Sequence, residues 1–284
     1  MNKILVPIDF SENSKNALRV AAEIACTSGA ALEMLHVNVA SIYSTPLSEY
    51  VAVSNFVVED QQYDEKALTE LEKLKLGLLA IPGFSKLDVT MRVEDGFLYS
   101  TVNNVATDDD VDLVVMGTKG ASGLNEFLVG SNTEKVIRTA PCPVLAIPEH
   151  AEKFDPKVVL MPSTLKDDQG SVFHYLSKWE EMYGFLIKVL YVNNPSGLPT
   201  DGSAEARKNR LAKAAGLKKT DVIMTAGSFS EGNSILSASD QCNADMIVMG
   251  THQRQGLAQV LFGSITADTV NHSHIPVLAV PIGY

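Results

Sequence analysis

The sequence predicts a duplicated α/β protein: two consecutive units, each a mostly parallel sheet of five strands with helices on both faces. Short apolar runs without polar alternation, such as Leu113–Met116 and Met246–Met249, read as strands buried on both faces. These runs alternate with helical stretches, the order that builds βαβ units. The same landmarks also occur twice. Gly117, Gly120, Gly130 and Ser131 return 133 residues later as Gly250, Gln253, Gly263 and Ser264.

The first unit opens with a strand at Lys3–Asp9, checked near Pro7. Capping residues follow at Ser11–Ser14, and helical periodicity runs from Asn16 to Ser28, with Gly29 as its stop. Ala31–Val37 is the second strand, and residues 40–55 are polar and irregular. A long helix over Val57–Ala80 has a charged outer face and ends at Pro82 and Gly83. Leu87–Val93 is the third strand, Phe97–Thr107 a helix, and Leu113–Met116 the fourth strand. A short helix at 132–138 leads to a last strand bracketed by Pro141 and Pro148.

The second unit repeats this order, with strands at Val158–Pro162, Phe185–Val192, Asp221–Met224 and Ile275–Pro281. Pro7 and Pro162 lie 155 residues apart, whereas Asp88 and Asp221 lie 133 apart. The second unit is therefore 22 residues shorter, all of it between its second and third strands. The expected domains are 1–148 and 157–284, joined by a linker at 149–156. Each proline-bracketed last strand is an edge, and edges invite pairing. The two copies are expected to pair there as an internal pseudo-dimer, with room for a further homodimer.

Bulk composition narrows the function. A chain of 284 residues with 45% hydrophobic and 20% charged residues can bury two cores. A formal net charge of -11 argues against nucleic-acid or anionic-membrane partners, which need basic patches. There is no apolar run of membrane-spanning length and no signal peptide, so a cytoplasmic protein is expected. Cys26, Cys142 and Cys242 are widely spaced and read as reduced core or near-core residues, not as a disulfide set or a metal cluster.

The glycines carry the chemistry. Gly117 and Gly250 fall at strand ends, where open parallel sheets bind ligands. Glycine lets backbone approach a ligand without a Cβ in the way. The helix after Gly130 and Ser131 offers unpaired N–H groups and a partial positive charge to an anion. A plain turn would use the same residues, but its repetition after a buried strand favours an anion site. Neither the G-x-x-x-x-G-K-[ST] loop nor a G-x-G-x-x-G after the first strand is present.

The pattern G-x-x-G, nine residues, G-[ST] after a V-V-M-G strand resembles the universal stress protein family. So do residues 4–11, I-L-V-P-I-D-F-S, and the P-V-L-x-x-P ending. The resemblance covers nearly the whole chain as two tandem domains. It implies a Rossmann-like fold of the adenine nucleotide alpha hydrolase type and, with the full glycine pattern, bound ATP with or without Mg²⁺. It further implies that Asp9 contacts the adenosine and Val37 meets the adenine through its backbone. Pro7 and Met116 would line the adenine, Gly117 and Gly120 the ribose and phosphate path, and Gly130, Ser131 and Asn132 the phosphates. Without the resemblance, Asp9 reads better as a turn former or helix cap.

The second unit departs from the pattern. Thr164 stands in place of the carboxylate, and Gln253 in place of the second glycine, with His252 and Arg254 beside it. Val192 ends its second strand, and Gly263 with Ser264 retain a phosphate seat. ATP is thus expected in the first unit only. His272 and His274 read as solvated loop residues, His36 as a satisfied strand-end histidine, and Asp108–Asp110 as a solvated turn. Lys119 suits a phosphate contact or solvent equally. No nucleophile and base stand at recognisable spacing. A nucleotide-binding stress module therefore leads. The alternatives are a slow ATPase or phosphotransfer enzyme using the same site, and a ligand-free scaffold.

Overall fold

The computed structural model describes residues 1–38, 53–118, 131–149, 153–163, 165, 169–192, 203–225, 232–252 and 260–282. Most of the irregular segment expected at 40–55 lies outside them. The first half carries β1 (Lys3–Pro7), α1 (Glu12–Ser28), β2 (Ala31–Asn38), α2 (Val53–Leu79), β3 (Val89–Asp95), α3 (Leu98–Asp108), β4 (Leu113–Gly117), α4 (Ser131–Thr139) and β5 (Val144–Ile147). The second carries β6 (Val158–Ser163), α5 (Gly170–Tyr183), β7 (Leu186–Val192), α6 (Ser203–Ala215), β8 (Thr220–Thr225), α7 (Gly232–Gln241), β9 (Met246–His252), α8 (Val260–His272) and β10 (Val277–Ile282).

All ten strands form one sheet, ordered β3-β2-β1-β4-β5-β10-β9-β6-β7-β8. Pairing is parallel within each half, and β5 meets β10 antiparallel, with Val144 opposite Ala279 and Ala146 opposite Val277. The expected fold class is therefore observed, but the two five-stranded sheets are continuous. One apolar layer packs α1, α2, α5 and α6 against one sheet face. A second packs α3, α4, α7 and α8 against the other. Each layer runs through both halves. The missing 22 residues fall where expected: α2 has 27 residues and α6, in the same place, has 13.

Local chemistry sets the boundaries. α1 starts at Glu12, earlier than the periodicity alone suggests, because the Ser11 hydroxyl accepts the Ser14 N–H at its N-terminus. Gly29 closes the helix with φ 75, a left-handed value that glycine adopts without strain. The strand starts share a latch. The Asp112 carboxylate accepts the N–H groups of Asn2 and Lys3, and Asp245 accepts those of Lys157 and Val158.

The linker is anchored at both ends. The Asn16 amide donates to the Pro148 carbonyl at 3.2 Å, and the Phe154 N–H donates to Glu23 at 2.7 Å. The Phe154 ring meets Trp179 and Tyr183 edge-on, with centroids at 6.0 and 5.6 Å. A helix of the first half and a helix of the second thus grip the same linker residue. Burying such a ring contributes about 1.5–3 kcal/mol.

Two smaller expectations change. Asp109 is not simply solvated. It pairs with Lys3 at 2.7 Å and Arg92 at 2.6 Å, and both cations also reach the buried Glu33. The hydrogen bond from Lys3, joined by the Arg92 charge, holds the Asp109 carboxyl below its ordinary range. All three cysteines are free, but Cys26 is exposed, while Cys142 and Cys242 are buried. Burial pushes the Cys142 thiol up to about 12, which makes it a poor nucleophile.

Candidate functional site

The site begins where β1 ends. Pro7 has no N–H to donate, so the backbone ladder must be closed beyond it. The Ile8 N–H donates to the Leu35 carbonyl at 2.7 Å, and His36 Nδ1 lies 2.7 Å from the Ile8 carbonyl oxygen. A carbonyl only accepts, so Nδ1 carries the hydrogen. His36 is the satisfied strand-end histidine expected. Asp9 follows, exposed, and its Oδ1 accepts the Ser11 N–H at 3.0 Å and the Ser11 hydroxyl at 2.5 Å. Asp9 is therefore a turn former that braces the cap of α1. Between them Phe10 has φ 64, a strained value for a bulky residue, and its ring packs on His36 at 4.7 Å.

Beside this turn lies an apolar floor. Leu5 pairs with Val114, so Pro7 sits next to Met116 on the same sheet face. Val37, one strand away, shares that face with Leu35, and both Val37 and Met116 are buried in the α3-side layer. Gly117 then closes β4. A Cβ there would stand 3.0 Å from backbone atoms and the Cβ of Asn13, so a larger residue would need the start of α1 to give way slightly. The Thr133 hydroxyl donates to the Gly117 carbonyl at 3.0 Å, which brings the first described turn of α4 to the strand end. Asn132 is exposed there, beside Ser131. Lys119, Gly120 and Gly130 lie outside the described residues.

The second half builds the same corner differently. Leu165 repeats the left-handed turn with φ 53, but it is buried, and its N–H donates to the Ser163 hydroxyl at 3.0 Å. Ser163 stands opposite Tyr191 in the pairing of β6 and β7. A Cβ on Gly250 would come 2.3 Å from Ile282 Cδ1 and 3.2 Å from the Gln169 side-chain oxygen. β9 continues past Gly250, pairing Thr251 with Pro281 and His252 with Ile282. Gly263 and Ser264 lie inside α8, behind Val260. Val192 ends β7, and Thr164, Gln253 and Arg254 lie outside the described residues.

Two partners here were not named by the reading of the sequence: Gly117 for Thr133, and Ile8 for His36, of which only satisfaction was expected. Aligning the halves exposes the second, because Tyr191 and Ser163 stand at the matching positions. The two downstream histidines do have acidic neighbours. His272 lies 3.2 Å from Asp268, and His274 lies 3.3 Å from Asp240. Each faces a different carboxylate, and the described residues hold no group of three metal-ligating side chains. No described helix is long and apolar enough to cross a membrane.

The sequence profile of the universal stress protein family matches residues 1–148 and again 164–281. The chain belongs to that family. A universal stress protein of Methanocaldococcus jannaschii is 31% identical over 157 residues, covering 51% of this chain and 93% of the relative. One from Staphylococcus saprophyticus is 30% identical over 159 residues, covering 55% and 89%. Each such relative thus corresponds to about half of this chain, and the family pattern occurs twice. A solved universal stress protein from Archaeoglobus fulgidus shares the fold over 99% of this chain and 97% of its own, with TM-score 0.70 at 19% identity.

Proposed function

We propose that this universal stress protein binds ATP in its first half alone and uses occupancy of that site in a stress response or signalling. The halves, taken as domains 1–148 and 157–284, act as an internal pseudo-dimer about the β5–β10 seam. The observation that carries this reading is the contrast between the two strand-end corners. In the first, the exposed Asp9, the apolar floor of Pro7, Met116 and Val37, and the start of α4 converge. In the second, Leu165 is buried and Ile282 packs over Gly250.

Each residue has a physical part. Asp9 accepts a hydroxyl or amine hydrogen from the adenosine, the floor takes the flat base, and backbone at Val37 meets its edge. Gly117 and Gly120 let the chain pass close to the ribose and phosphates. Gly130, Ser131 and Asn132 present N–H groups and side-chain donors to the phosphate oxygens, with or without Mg²⁺. In the second half Thr164 lacks the carboxylate, and Gln253 adds a side chain to the loop. The three free cysteines suit a reducing, cytoplasmic setting.

Nucleotide extracted from the denatured, purified protein tests the reading. ATP recovered unchanged supports a binding module. Steady ADP formation that depends on Ser131 replaces it with a slow ATPase, and a chain that neither carries nor binds ATP leaves only a scaffold.

A further inference from the structure

We infer that His36 is a positioning residue for the first-half nucleotide site: its Nδ1–H, held on the Ile8 carbonyl, fixes the turn that presents Asp9. This rests on the reading of that corner as the ATP site and adds a residue to it. The turn has two parts. Its shape, a left-handed residue after the strand, occurs in both halves, at Phe10 and at Leu165. Its fastening does not. In the second half the Ser163 hydroxyl accepts the Leu165 N–H within the turn itself. In both halves the backbone at this point reaches the neighbouring strand, Ile8 N–H to Leu35 in the first and Ser163 beside Tyr191 in the second, but only the first adds a side-chain tie, His36 Nδ1–H to the Ile8 carbonyl.

The tie sits one residue before Asp9, and the His36 ring also supports Phe10, one residue after it. Asp9 is thus flanked by residues that His36 holds, and its own carboxylate accepts from Ser11. A bond to the peptide that carries Asp9 limits rotation of the carboxylate away from the apolar floor. Preorganisation of this kind raises affinity by lowering the ordering cost of binding. Tyr191, at the matching position of the half without an acidic residue, has no imidazole to make the tie.

Calorimetric titration of the full chain with ATP tests this in His36→Phe and His36→Asn. Phe keeps a ring against Phe10 and removes the donor, whereas Asn places an amide N–H near the position of Nδ1. His36→Phe is expected to weaken ATP roughly five- to tenfold, the worth of one hydrogen bond. His36→Asn is expected to stay near the wild type. In an Asp9→Ala background, His36→Phe is expected to cost nothing more, because it acts through Asp9. A purely structural histidine would show equal losses with and without Asp9. Unchanged ATP affinity in a folded His36→Phe protein, or losses that add to those of Asp9→Ala, overturns the inference. Should His36→Phe fail to fold, His36→Gln, whose amide falls near Nε2 instead, replaces it as the variant without a donor at the Nδ1 position, against His36→Asn. Failure of the wild type to bind ATP overturns the functional reading itself, a distinct result.

Discussion

The two halves share a strand order, a left-handed turn and a carboxylate latch, yet their strand-end corners have diverged in different ways. Around Gly117 the crowding atom is backbone, the first turn of α1 at Asn13. Around Gly250 it is the tip of a side chain, Ile282. The first glycine is crowded by the fold itself, at the start of α1. The second survives under a residue that has come to fill the corner. Both halves thus keep the scaffold, while the contacts at their strand ends differ.

The largest expected effect breaks this comparison directly. Gly130→Glu places a bulky carboxylate at the proposed phosphate seat and should abolish ATP binding by calorimetry. Gly263→Glu, at the matching position, should leave ATP affinity within about twofold of wild type. Far-UV circular dichroism should find both folded.

Next comes the seam between the halves. Phe154→Ala should cost about 3 kcal/mol in urea unfolding, in line with large buried aromatic truncations. Trp179, the one tryptophan of the chain, should then emit at longer wavelength, since its edge-on neighbour is gone. Unchanged stability would mean that the halves do not share their core through the linker.

A finer contrast concerns the two glycines. Gly117→Ala and Gly250→Ala should each destabilise by about 1–2 kcal/mol, the usual scale of overpacking. Adding Ile282→Ala should relieve Gly250→Ala alone, and a double-mutant cycle reads that relief as a coupling energy. Equal behaviour of both glycines would erase the distinction between backbone and side-chain crowding.

The smallest effect is electrostatic. The Lys3, Glu33, Arg92 and Asp109 network has no counterpart in the second half, where Val158, Lys188, Thr225 and Cys242 stand instead. The Asp109 carboxyl is held below its ordinary 3.8. Its contribution is therefore fully present above about pH 4 and disappears as pH falls through the lower folded value. Hydrogen exchange should show the first half loosening before the second in acid, and Asp109→Asn should remove that difference. Both cations and Asp109 are partly exposed, so salt should weaken the effect.

How much of this was legible beforehand follows from the kind of interaction. Buried strands announce themselves by unbroken apolar runs, so Leu113–Met116 and Met246–Met249 were readable, as was Gly29 as a helix stop. The 22-residue shortening fell out of internal spacing and reappears as the short α6. The start of α1 was legible in its capping residues at Ser11–Ser14 and not in the periodicity, which registers only the buried face. Phe10 gave no warning of its positive φ, since nothing in a phenylalanine favours that region; the surrounding ties impose it. The packing of Asn13 on Gly117 joins residues about a hundred positions apart, which no local pattern encodes.

The central claim is that one of the two corners holds ATP. Native mass spectrometry of the full chain with saturating ATP measures it most directly. One ATP per chain is the predicted result, lost in Gly130→Glu and kept in Gly263→Glu. Two ATP per chain, or one that disappears on changing Gly263, would contradict it.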